Sequence, residues 1–196
     1  MAFGKVRNEI QSRIEDGACI LMNLVEEVND FFFNKISLIK KEILTVKEEN
    51  KGMDYEEIQS ILSPNQQFEE FYNTIYKEAM EMLVSKVYSY AEIHIELILF
   101  RIGYNIKKAQ KEYKIEHKSD NGISDIEKSF YVISKRTTLG ISNITDIWQD
   151  YQHIHTIRKN IVHHCSDDNF KIDKNFLISN IQQIKKLLCF LETKTR

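Results

Sequence analysis

Proline and glycine are scarce, with one Pro and six Gly in 196 residues. Proline removes a backbone donor and glycine adds unfolded-state entropy, so a chain that avoids both tends to be mostly helical. No segment sustains the two-residue apolar–polar alternation of a half-buried strand, and no sheet is expected. Cysteine is also sparse. Cys19, Cys165 and Cys189 are far apart, odd in number and form no CxxC pair. That spacing excludes a disulfide framework and a cysteine-built zinc site, and it suits a reducing cytoplasm. Long apolar runs are missing too. Ala18–Met22 and Leu97–Phe100 are far too short to span a bilayer, and the first residues, MAFGKVRNEIQSRIEDG, carry charges throughout instead of a signal-peptide core. The expectation is a soluble cytoplasmic protein with no membrane partner. A net charge of −2 gives no global attraction to nucleic acid, so such binding requires a local patch. Gly-rich phosphate loops, a Walker motif, a GxSxG elbow and HExxH are all absent.

What is present is helical periodicity over nearly the whole chain. Hydrophobic residues at 42% and charged residues at 29% give an ordinary globular balance, enough for one well-buried core and one domain over residues 1–196. Val6, Ile10, Ile14, Leu21, Leu24, Val28, Phe32, Ile36, Ile39, Ile43 and Val46 predict a long N-terminal helical segment over about 5–49. Unbroken, it would measure ~65 Å at 1.5 Å per residue, so either it projects as a coiled-coil-like arm or it breaks near Gly17 or Asn29-Asp30; a long helix with a bend is the favoured form. Phe31-Phe32-Phe33 covers too wide an arc for one core seam, which hints at a second contact surface such as another subunit. After a loop at Glu48–Met53, a short helix is expected over Asp54–Leu62. Ser63-Pro64-Asn65-Gln66 then reads as a capping box with Pro at the first helical position, opening a long helix to Gly103. Glu92, His94 and Glu96 within it read as satisfied or solvated polar positions.

Ser119–Gly122 is a turn, Ser124 with Glu127 a second capping box, and Ser166–Asp168 a helix break. Asp173 caps the last helix. The fold class is all-α: an antiparallel four- to five-helix bundle with a long N-terminal helix, its core over about 64–191, assembled as a dimer.

One stretch stands apart, Asn143–His164. Its apolar residues Ile144, Ile147, Tyr151, Ile154, Ile157, Ile161 and Val162 form one helical face, and Arg158 falls near the middle of it. A guanidinium cannot shed its charge, so a core-facing position demands partners. His163 follows, then His164. Histidine titrates near neutrality and serves as base or acid, while arginine binds phosphate bidentately. Cleaving RNA without metal needs a base for the 2′-OH, a cation for the phosphorane and an acid for the leaving oxygen. Five residues along one helix separate two side chains by ~140°, so either the helix loosens near His163 or a two-fold axis joins two such helices.

Arg158-Lys159-Asn160-Ile161-Val162-His163 resembles the Arg-x4–6-His motif of the HEPN superfamily (higher eukaryotes and prokaryotes nucleotide-binding domain). As in that family, it lies near the end of the penultimate helix of an all-helical chain. The resemblance implies a metal-independent endoribonuclease of toxin or phage-defence type. It further implies a homodimer with a composite site and, as a further partner, an antitoxin protein. Arg158 and His163 are the implied catalytic pair, with Asn160, His164 and Tyr151 in support, and no cofactor. Two positions depart from the pattern. Lys159 stands where the family usually has Asn, Asp or His, with Asn160 one later. Cys165 stands where members controlled by tyrosine modification carry the Tyr.

Three other readings accompany this one. Arg101–Lys118 holds six Arg/Lys against two Glu with Tyr104 and Tyr113 interleaved, so Lys107, Lys108, Lys111 and Lys114 are weak RNA-binding candidates beside the simpler reading of a solvated helix end. His163 with Asp167 and His164 with Asp168 have ligand-like spacing. Ser166-Asp167-Asp168-Asn169 reads better as a turn, however, and no metal site is expected. His153 and His155 read as surface or packing residues. The alternative to a ribonuclease is a non-catalytic helical dimer that binds a partner protein or nucleic acid, with Arg158 structural.

Overall fold

Two helices of almost equal length, joined by a tight turn, set the frame on which the rest of the chain packs. The computed structural model describes residues 2–117, 124–137, 149, 152, 155–159 and 172–195. Every regular element among them is helical: α1 (Ala2–Glu49), α2 (Tyr55–Arg101), α3 (Ile106–Glu116), α4 (Asp125–Arg136), α5 (described over residues 155–159) and α6 (Lys174–Lys194). α1 packs on α2 and α6, α2 also on α4 and α6, and α3 on α4. The core fills the space between these elements, with Ile14, Ala18 and Val25 from α1 and Met80, Val84, Val87, Ile95 and Leu99 from α2. Ile126 and Ile133 come from α4, and Leu177, Ile181, Leu188 and Leu191 from α6.

α1 runs for 48 residues, ~72 Å at 1.5 Å per residue, as one continuous helix through Gly17 and Asn29-Asp30. Both positions are docking points for α2. At Gly17 the Tyr90 ring comes so close that a Cβ would sit 2.9 Å from its Cε2, and the Tyr90 hydroxyl donates to the Ile14 carbonyl at 2.7 Å. The glycine there serves close approach, which offsets its ~0.5–1 kcal/mol helix penalty. Asn29 stays helical and accepts from the Tyr76 hydroxyl at 3.0 Å.

The expected restart at Ser63–Gln66 does not occur. Asp54 is the N-cap, accepting from Tyr55 N at 2.8 Å, and α2 continues through Pro64 to Arg101. Proline in a helix interior removes one hydrogen bond and costs ~3 kcal/mol. Here its ring is on the exposed face, while Leu62 two residues earlier is fully buried in the hairpin, so tertiary packing overrides the local signal.

α2 ends where Gly103 adopts φ +78, and Asn105 caps α3 by accepting from Lys108 N at 2.8 Å. The region read as a helix end and loop is therefore a separate 11-residue helix. The Ser124–Glu127 capping box and the Asp173 cap form as the sequence indicates. α4 ends at Arg136. The Ser119–Gly122 turn and the Ser166–Asp168 break lie outside the described residues.

At the foot of the bundle Arg101 and Glu192 tie α2 to α6, Nη1 to Oε1 at 2.6 Å, with the glutamate side chain fully buried and the arginine 14% exposed. No described helix is long and apolar enough to cross a membrane.

Candidate functional site

Arg158 lies on α5 facing α2, where its charge meets an aromatic ring. The guanidinium carbon sits 4.2 Å from the centroid of Tyr88, a cation–π contact, and Tyr88 is itself 3% exposed. His155, one turn earlier on α5, packs on the same ring with centroids 5.3 Å apart and brings Nδ1 to 3.0 Å from the Tyr88 hydroxyl. Ile157 between them is buried, while Lys159 points to solvent. Spacing of three explains the pairing, since residues i and i+3 share a helix face.

The Tyr88 hydroxyl also bonds the Glu92 carboxylate, one turn along α2. While Glu92 is ionised, that bond uses the phenol proton, so the phenol oxygen accepts from Nδ1–H of His155 and the tautomer is set. Burial pushes the Glu92 carboxyl above its usual range, opposed by the Arg158 charge and by the Tyr88 bond. Burial likewise pushes the His155 imidazole down, opposed by Glu127, with the charges of Arg158 and Lys159 adding to the downward shift. Burial raises the Glu127 carboxyl, but the Ser124 amide, Gln152 and Ser124 side chains outweigh it, and the net shift is downward. Gln152 donates to Glu127 at 3.0 Å, at the start of α4.

Arg158 is half-buried and, among the described residues, makes no ion pair. Its Nε is buried with no hydrogen-bond partner. The charge is thus oriented by a ring and lies close enough to Glu92 to influence its protonation, and among the described residues no salt bridge neutralises it. Such a planar guanidinium suits an oxyanion such as phosphate, which it can bind bidentately.

Of the other residues singled out from sequence, His163, Asn160, His164 and Tyr151 lie outside the described residues, as do His153, Cys165 and the pairs of His163 with Asp167 and His164 with Asp168. No cluster of three or more His, Cys, Asp or Glu suited to a metal occurs among the described residues. Lys107, Lys111 and Lys114 stand exposed within ~60° of one another on α3, opposite buried Ala109 and Tyr113. Lys108 is drawn aside, 4.2 Å over the Tyr104 ring and 3.0 Å from the Gly103 carbonyl. Neither tyrosine is placed to stack on a base: Tyr113 is buried between His117 and Tyr131, and Tyr104 donates to Glu112 at 2.7 Å. The neighbouring cations are also paired, Arg136 to Glu112 and Lys135 to Glu116.

Tyr88 is the residue that sequence reading missed. A tyrosine on the buried stripe of a helix needs a partner for its hydroxyl, and Glu92 at i+4 was the available signal. No protein-family model, curated protein or solved structure matches this chain, so only its own residues bear on its chemistry.

Proposed function

We propose that the chain is a metal-independent endoribonuclease of HEPN type, a toxin or phage-defence effector, in which Arg158 holds the scissile phosphate and His163 acts as general base or acid. The observation that carries this reading is the state of Arg158: a permanent cation, oriented by Tyr88, with no ion pair among the described residues. In the reaction the 2′-OH attacks the adjacent phosphorus, the 5′-oxygen leaves with a proton, and a 2′,3′-cyclic phosphate remains. Arg158 stabilises the charge gathering on the phosphorane oxygens. Asn160, His164 and Tyr151 are the candidates for orienting the phosphate, and the exposed lysines of α3 for holding the RNA backbone. A two-fold assembly would place two Arg158–His163 pairs in one cleft, and an antitoxin protein would be the regulating partner. RNA degradation measured in EDTA should be robust for wild type and lost in both His163→Ala and Arg158→Ala. Equal activity in all three proteins would sink the assignment.

A second reading has its own supporting observation. The guanidinium packs over the Tyr88 ring, and a broad apolar face of the α1–α2 hairpin is exposed. Both suit a non-catalytic helical assembly in which Arg158 is structural. In that case Arg158→Ala unfolds the protein at much lower denaturant and no variant alters RNA.

A further inference from the structure

We infer that His155 is a further catalytic residue of the Arg158 site: the general base that takes the proton of the attacking 2′-hydroxyl, held in position by Tyr88 and, through it, by Glu92. This rests on the ribonuclease reading, and it leaves His163 the complementary task of acid.

The observation that carries it is a chain of hydrogen bonds running from α2 to α5. Glu92 is one turn from Tyr88 on α2, and its carboxylate accepts from the Tyr88 hydroxyl. The Tyr88 oxygen, its own proton so engaged, accepts from Nδ1–H of His155 at 3.0 Å. The two rings pack with centroids 5.3 Å apart, so the imidazole plane is fixed as well. Nε2 is then the nitrogen with the lone pair, and among the described residues it has no hydrogen-bond partner. One ring nitrogen oriented by a partner and the other open to substrate is how histidine serves as a base in hydrolytic triads.

Placement favours His155 over His163 for this task. His155 and Arg158 are three residues apart, ~60° round the helix with Cβ atoms ~5–6 Å apart. Both rest on the one Tyr88 ring. A phosphate gripped by the Arg158 guanidinium therefore lies beside the His155 imidazole. A 2′-oxygen poised ~3–3.5 Å from its phosphorus comes within reach of Nε2. The five-residue interval from Arg158 to His163 instead turns a continuous helix through ~140°.

The charged groups around the ring keep the base available. Tyr88 and Glu92 face it from α2 and Glu127 from α4, with Asp125 near Glu92, while Arg158 and Lys159 lie on α5 itself. Burial and the two cations hold the imidazole below its usual range against Glu127, so at neutral pH it is ready to accept a proton. In the step, the bond from the 2′-oxygen to phosphorus forms as the 2′-proton passes to Nε2. The bond from phosphorus to the 5′-oxygen breaks, and that oxygen takes a proton from the His163 imidazolium. Exchange with water resets both rings.

Two measurements on the full chain test this. The nitrogen-15 spectrum of wild type at pH 7 should show His155 protonated on Nδ1 alone, and a proton on Nε2 overturns the inference whatever happens to RNA. RNA cleavage in EDTA should fall about 10²-fold or more in His155→Gln, which keeps a donor for Tyr88 but has no base. On an RNA with a 5′-phosphorothiolate, whose sulfur leaves without an acid, His163→Ala should recover and His155→Gln should stay slow. Tyr88→Phe keeps the ring under Arg158 and should lose kcat with KM unchanged; an unchanged kcat removes Tyr88 and Glu92 as positioning residues. A wild type that cleaves no RNA sinks the ribonuclease reading and the base role with it. Wild-type cleavage matched by His155→Gln overturns the base role alone, and so does recovery of His155→Gln on the phosphorothiolate.

Discussion

Two arginines meet the same helix, α2, under opposite conditions. Arg101 closes the foot of the bundle on Glu192 at 2.6 Å, and the glutamate is wholly buried. Arg158 reaches α2 at Tyr88, finds a ring 4.2 Å away and makes no ion pair among the described residues. The first charge is neutralised where it sits. The second is oriented by a ring and has no counter-ion among the described residues. Burial alone therefore does not separate a structural arginine from a functional one. The distinction lies in what neutralises the charge.

Breaking the first contact should produce the largest effect on stability. Glu192→Ala leaves the Arg101 charge half-buried beside a core with no counter-ion, and Arg101 Nη2 already has no hydrogen-bond partner. Loss of one member of such a pair costs about 3–5 kcal/mol. Urea denaturation should show a midpoint shift of that size with little change in slope. The double variant Arg101→Met with Glu192→Leu should recover most of the loss, since no uncompensated charge remains. If the double variant is as unstable as the single one, the pair is more than a neutralised charge.

The second contact should behave the other way. Arg158→Ala removes a cation–π contact worth about 0.5–2 kcal/mol, so the fold should persist. RNA cleavage should fall by about 10²-fold or more, the size of effect seen when one donor to a developing oxyanion is lost. Arg158→Lys keeps the charge over Tyr88 but not the planar fork, so it should restore stability and leave cleavage well below wild type. Denaturation and RNA degradation measured on the same three proteins separate the two roles. Equal losses of stability for Arg158→Ala and Glu192→Ala would make the two arginines alike.

Much of this frame was legible in the sequence, because helical periodicity, the Ser124 and Asp173 caps and the scarcity of Pro and Gly act locally. The failures share a cause. Ser63–Gln66 has every local mark of a helix start, yet Leu62 and the length of the α1 partner carry α2 straight through Pro64. Gly17 reads as a flexible point and proves to be the place where Tyr90 needs room. The basic run after Arg101 reads mainly as a solvated helix end and loop, yet it forms a separate helix, and Arg101, Lys108, Tyr104 and Tyr113 are each engaged with neighbours. For the site, Arg158 stood out because charge on an apolar face is costly. Its partner Tyr88 did not, because a tyrosine on a buried stripe looks like ordinary core until the facing helix is known.

The smallest expected effect sharpens the comparison through pH. His155 shares the Tyr88 ring with Arg158, and burial holds its imidazole below the ordinary histidine range. Above that range the ring is neutral in both folded and unfolded chains, and its packing is fully available. As pH falls below the unfolded value, the unfolded chain takes up the proton first, so stability is lost until the folded ring titrates as well. Glu92 acts in the opposite sense, because its raised pKa lets the folded chain gain protons before the unfolded one. The wild-type melting temperature alone therefore mixes the two. The difference between wild type and His155→Gln cancels the Glu92 contribution, and that difference should shrink steadily from pH 7.5 to pH 5. A His155 difference that is flat would mean the imidazole is not held neutral against Tyr88, and the ring would then orient Arg158 without help from α5's preceding turn.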